Sequence, residues 1–161
     1  MDVGGVEAII LTNRKGEVLY ERFTYPFSDI ERGELRKTLW SMVYPVLITG
    51  QLRDGKEHLG RCNGSNVAWV TLDEVVMIGM GNGGFRALEI VLLLRSLFGA
   101  IQVATGQKPG NFKQSVLLDK YSAVCLAIDD VLVTGRSEAY SKKEMKETLS
   151  MQHLGDTKAK K

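Results

Sequence analysis

The stretch from Val67 to Ala104, VAWVTLDEVVMIGMGNGGFRALEIVLLLRSLFGAIQVA, decides the fold class. Two short apolar runs, Val67–Leu72 and Val75–Gly79, flank Asp73-Glu74 and read as a β-hairpin. The glycine-rich Gly79–Gly84 then opens a strongly apolar helix over about 85–104. On a helical wheel Ala87, Ile90, Val91, Leu94, Leu97, Phe98 and Ile101 make one broad face, which we assign to the sheet. Leu88, Leu92 and Leu93 fall outside that face. A helix apolar on more than one face is covered on more than one side.

Upstream, Val6–Asn13 is apolar and β-branched, Arg14-Lys15-Gly16 supplies turn chemistry, and Glu17–Thr24 alternates; the pair is an opening hairpin. Ser28 with Glu31 three residues on is a capping box, satisfying two orphan amides at a helix start. Leu35, Leu39, Met42, Val43 and Val46 follow at three- and four-residue steps as one amphipathic stripe. Gly50 marks the end of this helix, with Pro45 either ending or kinking it. Lys56–Asn66, with two glycines, reads as a short edge strand or a loop.

Downstream, Gly106–Asn111 is a loop. Leu117, Leu118, Tyr121, Val124, Cys125, Ile128, Val131 and Leu132 repeat at helical spacing, with Gly135 as a C-cap. Two strands around Asp129-Asp130 are the rival. Ser141 and Glu144 offer a second capping box before a short helix carrying Met145, Leu149 and Met151. The order strand, strand, helix, up to three strands, helix, helix favours an antiparallel sheet with helices on its faces over repeated βαβ units. We expect one domain over residues 1–154 and a disordered basic tail over 155–161.

Composition narrows the function. The chain has 161 residues, 44% apolar and 25% charged, which is ordinary for a globular domain. Its net charge of +2 is already supplied by Lys158, Lys160 and Lys161 against Asp156. The remainder is neutral, so no basic surface for nucleic acid is implied. The start lacks a basic region followed by a long apolar run, so a reduced, cytosolic setting is expected. Cys62 and Cys125 are then small core residues and the Asn63-Gly64-Ser65 sequon carries no meaning. The longest apolar stretch, Ile90–Ile101, is interrupted by Arg95 and is short for a membrane span.

The sharpest enzymatic pattern is Gly79-x-Gly81-x-x-Gly84, between a strand and a helix, as in dinucleotide-binding loops. That fingerprint wants an acidic residue about twenty positions on, and Ile101–Thr105 has none. A tight strand-to-helix turn is the simpler reading. His58 and His153 lie in unrelated elements, no Cys or His pair has metal-ligand spacing, and no catalytic set is complete. No catalytic residue, cofactor or metal is therefore assigned.

Element order and several strings resemble the longin-type small chains, sigma and zeta, of heterotetrameric clathrin adaptors and the coatomer. Ile9–Gly16 resembles their first strand and its Asn-Arg-x-Gly turn. Gly84–Glu89 resembles the start of their central helix. Lys120–Gly135, with its acidic pair, resembles their last long helix, and Ser141–Leu154 their short C-terminal helix. Among such chains the sequence most resembles the small chain of the TSET complex, called the TPLATE complex in plants.

The resemblance implies a longin-like α/β (α+β) fold, an antiparallel five-stranded sheet flanked by helices, and a helix over Val124–Val133. It further implies a non-catalytic subunit in membrane trafficking or endocytosis. Such a subunit is seated against a large adaptin-like solenoid subunit beside a medium subunit, and meets membranes only through the complex. Leu88, Leu92, Leu93 and Arg95 become the candidate partner surface; the alternative is that the last long helix covers the leucines. The dileucine-signal site of some sigma chains carries over poorly: its basic residue aligns with Leu19, and an apolar pocket position aligns with Arg95. A rival function for the same fold is a longin- or roadblock-like scaffold for a small GTPase or its exchange factor.

Overall fold

In a computed structural model the chain is described over residues 5–49, 55–82, 85–108 and 112–134. Five strands form one antiparallel sheet in the order β2-β1-β5-β4-β3. They are β1 Val6–Asn13, β2 Val18–Phe23, β3 His58–Cys62, β4 Ser65–Leu72 and β5 Val75–Gly81. The helices are α1 Asp29–Ile48, α2 Ala87–Thr105, α3 Gln114–Asp119 and α4 Tyr121–Thr134. This is the antiparallel α/β architecture expected from the order of elements. The short C-terminal helix and the basic tail lie outside the described residues.

The three central strands β1, β5 and β4 are buried almost throughout. They read as continuous apolar runs because each has helices on both faces. Ile9, Leu11, Ala68, Val70, Val75 and Met77 belong to one core with α2, α3 and α4. Ala8, Ile10, Val67, Trp69, Val76 and Ile78 belong to a second core with Leu35, Leu39 and Val43 of α1. Alternation along the pleat therefore separates two apolar cores rather than core from solvent.

Each hairpin is closed by turn chemistry. Asn13 Oδ1 accepts from the Lys15 and Glu17 amides while its Nδ2 donates to Glu17 Oε1. Gly16 takes a positive φ of 85° under the Trp40 ring, where a Cβ would sit 2.6 Å from the indole. The β3–β4 hairpin turns through Asn63 (φ 50°) and Gly64 (φ 82°). Both central residues are left-handed, as a two-residue hairpin turn requires. So 56–66 holds an edge strand and its turn. Asn63-Gly64 belongs to that turn.

The Ser28–Glu31 capping box forms as expected, with Ser28 N donating to Glu31 Oε1 and Glu31 N to Ser28 Oγ. Pro45 sits inside α1, which runs on to Ile48. The helical reading of 117–132 holds, but as two helices, with Lys120 off helical geometry at φ −109° and ψ 33°. Gly135 lies outside the described residues. Of the cysteines, Cys62 is buried and Cys125 half-buried, both as free thiols.

Candidate partner-binding surface

The β5–α2 connection sets how closely α2 sits on the sheet. β5 runs two residues beyond the expected Gly79, and Gly79 remains in the ladder, paired with Ile9 and Ala68. A Cβ on Gly79 would lie 3.0 Å from Leu94 Cδ2 and 3.1 Å from Ile90 Cγ2. One on Gly81 would lie 2.6 Å from Phe85 Cδ2. Gly79 is thus explained by the close approach of α2 and Gly81 by the Phe85 ring of the connection, rather than by room for a phosphate. Gly83 and Gly84 lie outside the described residues.

By length and composition alone, α2 is long and apolar enough to cross a membrane, which corrects the shorter span read from Ile90–Ile101. In the fold it is a core helix. Ile90, Val91, Leu94, Leu97 and Ile101 are buried as assigned, with Ala87 and Phe98 half-buried. One flank packs against α4, which is tied to β2 by an Arg22–Asp129 ion pair and by Tyr20 against Tyr121, ring centroids 6.2 Å apart.

The four sequence candidates separate here. Leu93 is fully buried in the core it shares with Val124, Ala127, Ile128 and Val131 of α4. Leu88 is 67% exposed, Leu92 half-buried and Arg95 exposed. Those three fall at i, i+4 and i+7 and share one side of the helix. Of the surplus leucines, Leu93 is taken into the core shared with α4, while Leu88 stays exposed and Leu92 half-buried.

Sequence reasoning missed the contribution of β3. Leu59 pairs with Ala68, so it projects from the α2 face of the sheet, and it is 57% exposed. Glu57, just before β3, forks onto Arg95: Nε–Oε2 is 2.8 Å and Nη2–Oε1 3.2 Å. Hydrogen bonds from Arg95 hold the Glu57 carboxyl below its ordinary pKa against the opposing effect of burial. The open flank of α2 thus presents Leu88 and Leu92 with Leu59 on the neighbouring edge strand, closed at one end by an ion pair. Only the sheet register brings Leu59 to this face, so the sequence signal was weak.

An opening of about 420 Å³ lies by the hairpin turns and is lined by Asn13, Arg14, Lys15, Glu17, Glu74 and Gln114. Side chains of Asn13, Arg14, Glu17 and Glu74 there are engaged in holding those turns together. Arg14 Nε donates to Asp73 O at 2.7 Å, and the Gln114 amide donates to Glu74 Oε1 at 2.9 Å. Among the described residues, no three His, Cys, Asp or Glu side chains gather in a way that could hold a metal ion.

This architecture has a counterpart among solved structures. A chain in a homology model of the full-length AP-3 complex in a stretched open conformation superposes with a TM-score of 0.63. The match covers 92% of this chain and 93% of that one. The fold is longin-like. Nearly equal coverage means that the two chains are of similar length. Identity over the match is 8%, so the likeness lies in the arrangement of elements. No family model and no curated protein matches the sequence.

Proposed function

We propose that this chain is the small, non-catalytic subunit of a vesicle-coat adaptor complex. The observation that carries the reading is the end-to-end match in fold and length to a chain of an adaptor complex. The sequence resemblance to sigma and zeta chains supports it independently. The chain works by burying apolar surface against a large solenoid subunit, with a medium subunit completing the assembly. Leu88, Leu92, Leu59 and the stem of Arg95 form one face of that contact, while Leu93 serves the domain's own core. Location follows from the assembly: cytoplasmic and peripheral, with membrane attachment through other subunits. Within the family we favour the small chain of a TSET-type complex acting in endocytosis. The Arg95–Glu57 fork places a charged head beside the apolar strip, which weighs against a leucine pocket there.

The test is a gentle affinity purification from the native cell, with co-purifying chains identified and counted by mass spectrometry. Recovery of a large helical-solenoid chain and a medium chain at matching stoichiometry supports the reading and names the complex. Recovery with a small GTPase alone, or of the chain by itself, rejects it.

A further inference from the structure

We infer that the corner where β2 meets α1 is a second docking point, built around Arg32, for a partner protein's aspartate or glutamate side chain. Arg32 is the fourth residue of α1 and sits on the core-facing stripe that continues through Leu35, Leu39 and Val43. Its guanidinium carbon lies 5.0 Å from the centre of the Phe23 ring, and its Nε is buried without an acceptor. The ring holds the planar group in place, so little rotamer freedom is left to lose on binding.

Three features make this placement unfavourable for the isolated domain. A cation in the first turn opposes the helix dipole. Arg36 stands four residues on as a like charge, over the same ring at 5.8 Å. Nor does any carboxylate among the described residues pair with Arg32. The contrast with its neighbours is direct. Arg14, Arg22, Arg36, Arg61 and Arg95 each reach an oxygen. Of the nearby carboxylates, Glu21 is engaged on Arg36 and Glu31 on the Ser28 amide, while Asp29 of the same turn acts on Arg36 by its charge. A partner's carboxylate would supply the charged partner for the guanidinium that the domain itself does not.

The surroundings define the rest of the ligand. Tyr25 is 51% exposed and lies tilted against Phe27 at 4.8 Å between ring centres, and Phe27 in turn meets Phe23 edge-on at 5.9 Å. Tyrosine and arginine are both enriched among the residues that carry binding energy at protein interfaces. The corner therefore takes an acidic side chain with an apolar neighbour that rests on Tyr25 and Phe27. In the assembly proposed above, on which the choice of assay rests, this segment belongs to another subunit.

The experiment uses the full chain, tagged and purified with its assembled partners. Arg32→Glu reverses the charge and is expected to lower partner recovery by at least about tenfold. Arg32→Lys keeps the charge and retains most of it. The amine introduced by Arg32→Lys also allows zero-length carbodiimide coupling to a partner carboxylate, read by mass spectrometry of the linked peptides. Melting temperatures of the isolated variants within a few degrees of wild type exclude misfolding as the cause. Full recovery with Arg32→Glu, or coupling at other lysines but never at position 32, overturns the inference and leaves the adaptor reading intact. If the wild-type chain instead binds partners of another class, the adaptor reading fails and the same two variants still decide the corner. A wild-type chain that purifies alone removes both.

Discussion

Gly79→Val tests the seating of α2 on the sheet. The added Cβ would lie 3.0 and 3.1 Å from methyl groups of Leu94 and Ile90, where carbon contacts ordinarily settle at about 3.5–4.0 Å. Both partners are 1% exposed, so neither has open space to move into, and valine adds two further methyls. Overpacking of this kind costs about 1–3 kcal/mol. Replacing a strand glycine returns about 0.5–1 kcal/mol through the unfolded chain. The net expectation is a loss of about 1–2 kcal/mol, or a melting temperature lower by about 2–8 °C in a domain of this size. Urea and thermal unfolding followed by circular dichroism measure it. Ile90→Ala alone is expected to cost about 2–5 kcal/mol by leaving a cavity. Combined with Gly79→Val it should cost less than the sum by more than about 0.5 kcal/mol, because the valine fills that cavity. A valine variant as stable as wild type, or strictly additive losses, would refute the close approach of α2 to β5.

Other expectations follow from single features. Gly64→Ala meets open space but keeps a φ of 82°, so its cost is conformational, about 1 kcal/mol, seen as a shift in urea midpoint. Ser28→Ala removes the capping box and should also cost about 1 kcal/mol, with far-ultraviolet helicity falling only locally. Burial, with Lys56 adding, holds the His58 imidazole below its ordinary pKa. On acidification the unfolded chain therefore takes up that proton first, and stability is lost as pH falls through about 6.5 towards the folded value. The fall in urea midpoint between about pH 7.5 and 5.5 should be smaller in His58→Phe than in wild type. Leu88→Ser leaves the stability of the isolated chain within about 0.5 kcal/mol and lowers recovery of a large subunit in the purification described above; an unchanged yield would take Leu88 out of the interface.

Local signals carried most of the fold. The Asn13–Gly16 turn, the Ser28 capping box and the Asp73-Glu74 hairpin each act within a few residues, and each stands where the sequence placed it. The β3–β4 turn is also legible, since Asn-Gly is a strong hairpin signal, whereas the two glycines of 56–66 by themselves leave an edge strand or a loop open. What depended on distant packing was less readable. Periodicity identifies Leu88, Leu92 and Leu93 as surplus to one face; which of them α4 covers depends on where α4 lies across the helix. The break at Lys120 has no proline or glycine to announce it. Arg32 fits the α1 stripe in spacing but not in chemistry, and that mismatch gained meaning only with Phe23 placed beneath it.

The strand order has a consequence for how the molecule comes together. β1 and β2 are sequence neighbours, as are β3, β4 and β5, so these pairings form by short loop closures. The β1–β5 ladder at the middle of the sheet is different. Its partners stand 75 positions apart at Val6 with Gly81 and 62 apart at Asn13 with Val75. The centre of the sheet is thus a seam between an amino-terminal half and a carboxy-terminal half, and closing it is the longest-range pairing the sheet requires. Severing the chain between Thr49 and Gly55 would leave every pairing of that seam intact. Closure would then become a bimolecular event, and the two halves would assemble at a rate that rises with their concentration.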